Sequence, residues 1–209
     1  MRPISLRTDK PLCQGYCMLA FLVALTPKFI WLGFIRAYSP ALSYVASVFL
    51  GWFIWTFFEY IMHRFWMHGQ HHKKTSDSDP FNHHHHHTHP TEIMVTTKQR
   101  WTGIMLVITL LALSTVLGDW FTILTGFVIG FVAFINMHWV LHQVWANRLV
   151  PKLQEQHIHH HLKYPDHAFG VTTRFWDRMF RTTAPRGALI SAKVYRFYFD
   201  GKVTGSAKN

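Results

Sequence analysis

Acidic side chains are scarce in this chain: ten Asp and Glu stand against 21 Lys and Arg, a formal charge of +11. Cysteine is scarcer still, with only Cys13 and Cys17. Two thiols are too few for a disulfide-stapled scaffold or an iron–sulfur cluster, and beside an apolar run they read as small fillers. The start, MRPISLRTDKPLCQ, has basic residues but no compact apolar stretch with a small-residue cleavage site, so no signal peptide is expected. There is no repeat of solenoid period. A nucleic-acid binder would carry its excess cations on a soluble module with interleaved stacking aromatics. Here they flank long apolar runs, where attraction to anionic headgroups accounts for them. The expected partner is a membrane, not a nucleic acid.

Charge is also thin in four stretches, roughly Tyr16–Arg36, Ala41–Met62, Trp101–Leu117 and Asp119–Asn136. Each has, or nearly has, the length of about 20 residues needed to cross a hydrocarbon core. The first is the weakest, because Pro27 and Lys28 interrupt it; neighbouring helices can tolerate such a proline. Short connections at Ala37–Pro40 and Gly118 pair the four as two antiparallel hairpins. An even number of spans places both termini on one side, with residues 63–100. Of the 21 Lys and Arg, all but Lys28 and Arg36 then share that side, which the positive-inside rule makes cytoplasmic. The expected fold is one all-α integral-membrane domain over residues 1–209. Residues 63–100 and 137–182 form a cytoplasmic helical cap, and 183–209 a tail. Within the tail, Val194–Phe199 alternates weakly, as a short strand or interfacial segment would, and is assigned no chemistry. The aromatic run Trp52–Phe58 reads first as interfacial belt and core packing.

All 17 histidines lie in two bands, 63–89 and 138–167, each beginning where an apolar run ends. They recur as His63-x4-His68, His83-x2-His86-His87, His138-x3-His142 and His157-x2-His160-His161. Neutral imidazole is the commonest protein metal ligand, and residues i, i+3 and i+4 share one helix face. His63 and His68 are five apart, about 140° round an ideal helix, so they serve two metals or the helix changes course between them. Within 83–89 the His-x2-His-His spacing fits only at 83, 86 and 87. His68, His71 and His72 satisfy it too, but Gly69 suits a turn and Lys73, Lys74 and Asp77 follow directly. Taken alone, each cluster has an ordinary explanation, such as a solvated low-complexity tract or an aqueous-edge helix. Four clusters on one membrane face point to a dimetal centre of ten ligands: His63, His68, His83, His86, His87, His138, His142, His157, His160 and His161. The other histidines are left to solvent, packing or support of the ligands.

These clusters, with Phe169-Gly170-Val171-Thr172 and Phe175-Trp176-Asp177-Arg178-Met179-Phe180-Arg181-Thr182, resemble the fatty acid hydroxylase superfamily. That group comprises integral-membrane non-haem diiron oxygenases, among them fatty acid 2-hydroxylases, sterol desaturases and relatives of carotenoid hydroxylases. The resemblance runs from about Glu59 to Thr182 and is nearest to the catalytic domain of fatty acid 2-hydroxylases. Two stretches depart from it. Phe134, Ile135 and Asn136 stand where a tyrosine–aspartate pair often precedes the third cluster. Thr91-Glu92-Ile93-Met94-Val95 replaces an Arg-Leu-Val-x-Pro-Pro run. The resemblance implies two iron ions, O2 as co-substrate and hydroxylation of a fatty acid or acyl-lipid chain. A sterol or carotenoid substrate, with hydroxylation or desaturation, is the alternative. No segment looks like cytochrome b5, so electrons are expected from a separate protein of cytochrome b5 or ferredoxin type. The host membrane would be a bacterial inner membrane or the endoplasmic reticulum.

Zinc has no redox chemistry, yet divalent affinities rise towards copper, so expressed protein can carry zinc. Ligating histidines need a second hydrogen-bond partner to fix the tautomer. Glu59, four residues before His63 on its helix face, is read as that partner; the alternative is an edge carboxylate paired with Arg64 or a lysine. Asp177 is either an orienter or a local helix cap, and Asn136 a candidate orienter for the third cluster. A zinc-handling membrane protein is the reading from another class. It fits less well, because transporters place polar ligands near mid-membrane and these spans lack histidine.

Overall fold

A computed structural model describes residues 39–68, 83–92, 95–185 and 190–200. The expected first span, at 16–36, and His71 and His72 lie outside these residues. The chain divides into two compact units, Met1–Ser47 and Val48–Asn209. Of the first, residues 39–47 are described. They start helix α1 (Pro40–Ile61), with Pro40 in the first turn and the Ser39 hydroxyl accepting the Leu42 N–H at 3.4 Å.

In the second unit α1 runs into a π-helical turn, Met62–Met67. There follow α2 (His83–Thr88), α3 (Thr97–Leu117) and α4 (Asp119–Leu141). A 3₁₀ turn at Val144–Arg148 leads to α5 (Pro151–Leu162), α6 (Phe175–Met179) and α7 (Ala192–Asp200). All regular structure among the described residues is helical. Among the described residues, three helices are long and apolar enough to cross a membrane: Pro40–Met67, Thr97–Leu117 and Asp119–Leu141.

Helix α3 opens with a capping box between Thr96 and Gln99, then presents apolar side chains almost all round. Only 6% of its most apolar window is buried, with Trp101, Ile108 and Val116 exposed, a surface that suits hydrocarbon. At Gly118, where φ is +87°, the chain reverses, and α4 runs back along α3. Thr122 reaches the Ser114 carbonyl at 3.3 Å, and Gly103 faces Val132 further along.

Helix α4 meets α1 through small residues. A side chain at Gly51 would strike the backbone at Ile123, one at Gly126 the backbone at Val48, and one at Gly130 the Trp55 ring. Gly126-x3-Gly130 therefore lets two apolar helices pack backbone to backbone, the usual solution where no hydrophobic force acts between them. Trp55 fills the remaining space against Phe127 and Phe131, with ring centroids 5.0 and 5.1 Å away. Trp55 and Phe57 of the aromatic run thus pack as core, while Phe58 is exposed.

The C-terminus of α4 directs the chain back to the site. Buried Gln154 donates its side-chain amide to the carbonyls of Leu141 (2.9 Å) and Gln143 (2.7 Å), satisfying groups the helix end leaves open. This anchors α5 across the end of α4. The tail corrects the expectation of a strand: residues 192–200 are helical. Tyr198 is buried and Val194 and Phe197 half-buried at i, i+3 and i+4, while Lys193, Arg196 and Asp200 are exposed, a helical period that weak alternation obscured.

Candidate metal centre

Five histidines from three elements form a first group: His63 and His68 from the end of α1, His83 and His87 from α2, and His160 from α5. Their ligand nitrogens lie within 4.8 Å of one another. The π-helical turn settles how residues five apart can share a site. The His68 N–H bonds the His63 carbonyl at 3.2 Å, closing a wider turn that stacks position i+5 above i. The helix changes course, and both rings enter one group.

His86, His138, His142 and His161 form a second group. His157 joins it with Nε2 3.2 Å from Nε2 of His142. Helix α2 therefore serves both groups, His83 and His87 facing one and His86 the other. All ten histidines expected from the spacing are brought together.

Proton positions reveal what the groups need. His63 and His160 place Nδ1 against the carbonyls of Phe169 and His167. His86 Nδ1 meets the Glu92 carbonyl at 3.0 Å and His87 Nδ1 the His161 carbonyl at 3.3 Å. A carbonyl only accepts, so each of these Nδ1 atoms carries the proton and each Nε2 is a bare lone pair. Yet His63 Nε2 lies 3.0 Å from His160 Nε2. His68 Nε2 is 3.0 Å from His160 Nε2, and His83 Nε2 is 3.0 Å from His87 Nε2. For His63 and His160 both of these nitrogens are bare, and two lone pairs cannot share a hydrogen bond. Adjacent ligands on an ion with metal–nitrogen bonds of about 2.1 Å sit about 3 Å apart, so converging imidazoles of this spacing fit a bound metal.

Burial supports the same protonation. It pushes His83, His142, His157, His160 and His161 well below the ordinary histidine value of 6.5 and lowers His86 too, with charge on neighbouring histidines adding to the effect in each. Neutral rings are the metal-binding form.

The carbonyls behind His63 and His160 sit on one short loop, and two buried carboxylates hold it. Asp177 accepts the N–H groups of Phe169 (2.9 Å) and Gly170 (2.8 Å) and the Thr182 hydroxyl (2.7 Å). Glu59 accepts those of Val171 (2.7 Å) and Thr172 (2.9 Å) and the Thr172 hydroxyl (2.6 Å). Four successive amides are thus satisfied by two side chains far apart in sequence. Gly170 is required there, since a Cβ would strike the Thr173 carbonyl and the Asp177 carboxylate. Ala168, at φ +57°, turns the backbone between the two carbonyls, an uncommon conformation for a residue with a side chain.

This corrects two expectations. Glu59 bonds the loop instead of His63, and acts one step removed from the ring. Asn136 donates to the Val132 carbonyl at 2.8 Å, a bond back along its own helix, and hydrogen-bonds no histidine among the described residues. Three further residues had been given no role. Tyr60 and Thr182 complete a chain of hydroxyls in which Arg64 donates to Tyr60 (2.7 Å), Tyr60 meets Thr182 (3.1 Å) and Thr182 donates to Asp177. Tyr198 stacks on His142, with centroids 4.7 Å apart and planes at 16°, and donates to the Leu141 carbonyl at 3.3 Å. Only a helical reading of the tail would have drawn attention to Tyr198.

Known proteins are similar to this chain. The profile of the fatty acid hydroxylase family matches residues 48–182. Dihydroceramide fatty acyl 2-hydroxylase FAH1 of Arabidopsis thaliana is 31% identical over 163 residues, 68% of this chain and 64% of its own length. Fatty acid 2-hydroxylase of Rattus norvegicus is 27% identical over 182 residues, 76% of this chain and 46% of its own length. The chain thus spans less than two thirds of either relative. A solved structure of full-length scs7p, in which only the hydroxylase domain is visible, superposes with a TM-score of 0.51 at 25% identity, covering 81% of this chain and 67% of that one. The chain belongs to the fatty acid hydroxylase family.

Proposed function

We propose that the chain hydroxylates a fatty acid or the acyl chain of a lipid, at the carbon next to the carboxyl group, using two iron ions held by the ten histidines. The relatives named 2-hydroxylases support this position and substrate class. The overall change is C–H + O2 + 2 electrons + 2 protons to C–OH + H2O. Iron supplies the redox chemistry that zinc lacks. Electrons come from a separate one-electron carrier of cytochrome b5 or ferredoxin type.

The protein's own work is positioning. Loop carbonyls at His167 and Phe169 keep protons on Nδ1 of His160 and His63, leaving Nε2 free to ligate. Asp177 and Glu59 hold that loop through its amides. Orientation of ligands by such outer partners raises their basicity and fixes geometry. The groups lie where α1 and α4 end, so a chain rising from hydrocarbon reaches them at the membrane edge. The excess of Lys and Arg near the helix ends favours a cytoplasmic face.

The single observation that carries this reading is the convergence of ring nitrogens whose protons are held elsewhere. The experiment is turnover under ¹⁸O2 with iron-loaded protein, reductant and an acyl lipid. The product should gain one labelled oxygen at C2, and His86→Ala or His160→Ala should abolish it. An unlabelled product would refute the assignment, and label on a ring would move the substrate to the sterol or carotenoid class.

A further inference from the structure

The histidine-rich α2 has an outer side that the ten-histidine centre does not use. There the His85 and His89 rings, one helical turn apart, stack with centroids 4.2 Å apart and planes at 12°. Glu92 joins them, its Oε2 2.9 Å from Nε2 of His85. The backbone closes around the three: the His89 N–H bonds the His85 carbonyl at 2.8 Å and the Glu92 N–H bonds the His89 carbonyl at 2.9 Å. One ligand atom from each side chain falls within 4.8 Å of the others.

We propose that His85, His89 and Glu92 form a third metal site, separate from the ten-histidine centre, that takes a divalent transition ion such as Zn²⁺. Two imidazoles and a carboxylate are the donor set that zinc and its borderline-soft neighbours accept, with water completing the coordination. Calcium and magnesium prefer oxygen throughout and would bind poorly. Exposure also fits, since the His85 and Glu92 side chains are 41% and 63% accessible, leaving room for water ligands.

The site is coupled to the centre through one residue. The Glu92 backbone carbonyl accepts Nδ1 of His86, a member of the second histidine group, at 3.0 Å. An ion that ties the Glu92 carboxylate to His85 and His89 therefore fixes the carbonyl behind His86. It braces the turn from outside.

The test counts metal. Full-length protein in lipid nanodiscs is dialysed against buffered Zn²⁺ and analysed by elemental mass spectrometry, as wild type, as the H85A/H89A double variant and as H84A. The double variant should hold one equivalent fewer than wild type, while H84A holds the same number as wild type. Glu92→Gln, which leaves the backbone carbonyl in place, should weaken that one equivalent at least about tenfold. Zn²⁺ should also raise the melting temperature of wild type more than that of the double variant. Equal counts in wild type and double variant would overturn the proposal, as would equal loss in H84A, which marks an unspecific histidine surface. Glu92→Gln alone decides the matter if the double variant does not fold. Because the count is a difference, an error about the ten-histidine centre shifts every protein equally and leaves this result readable.

Discussion

The two histidine groups share helix α2, yet they are held in different ways. In the first, His63 and His160 rest on loop carbonyls, and two buried carboxylates fix that loop through four successive amides. In the second, His86 rests on the Glu92 carbonyl and His142 on the flat face of Tyr198. Nδ1 of His157 and of His161 is buried with no hydrogen-bond partner among the described residues. Backbone carbonyls set a tautomer and an angle; packing sets only a position. The first group should hold its ion more tightly, and the second should exchange first.

Acid is the largest perturbation and tests what the groups have in common. Burial lowers six of the clustered histidines outside the spans, His83, His86, His142, His157, His160 and His161, below 6.5. Below that value the unfolded chain takes up protons that the folded chain refuses, so stability falls as pH falls. Each histidine contributes a slope of up to about 1.4 kcal/mol per pH unit until its folded value is reached. Metal must leave over the same range, because a protonated ring cannot ligate. Metal content and thermal melts followed from pH 8 to pH 5 should fall together. A flat profile across pH 6.5 would mean that the rings are not buried as a neutral set.

The loop clamp gives the next largest effect and separates the groups. Asp177→Ala removes the acceptor for two amides and the Thr182 hydroxyl, freeing the carbonyl behind His63. Metal affinity or activity should drop about 10–100-fold. Glu59→Ala should act in the same range and Glu59→Gln less, since an amide oxygen still accepts from the loop. Substoichiometric metal in Asp177→Ala should be one ion short, with the second group still loaded. Loss of both ions in parallel would end the distinction between the groups.

The two histidine groups were legible because imidazoles at helical spacing betray a shared face, and the residues flanking the runs excluded other registers. Their partners were not. Glu59 stood out as a costly charge in an apolar helix, but its acceptor role depends on Val171 and Thr172, more than a hundred residues further on. The His63–His68 spacing left two geometries open, and the π-helical turn that chooses between them leaves no mark in a window of residues. Asn136 followed the ordinary habit of a polar side chain in an apolar helix and bonded its own backbone. Gly126-x3-Gly130, given no role from the sequence, is what brings α4 and its histidines against α1.

The smallest effect lies at the tail and tests the second group alone. Tyr198 is 1% exposed, and burial pushes its hydroxyl well above 10, so it stays protonated and donates to the Leu141 carbonyl. That carbonyl already accepts from Gln154 at 2.9 Å, so the helix end keeps one donor when the hydroxyl is removed. Tyr198→Phe should therefore cost about 1 kcal/mol, the net worth of one hydrogen bond, and leave the ring on His142. Tyr198→Ala removes the ring as well and opens a cavity beside His142, at a cost of about 3–5 kcal/mol. The informative readout is exchange of labelled metal. Tyr198→Phe should leave both ions at their wild-type rates, whereas Tyr198→Ala should quicken only the faster of the two. If both exchange rates rise together in Tyr198→Ala, the stack on His142 supports the fold as a whole, and the second group has no separate hold of its own.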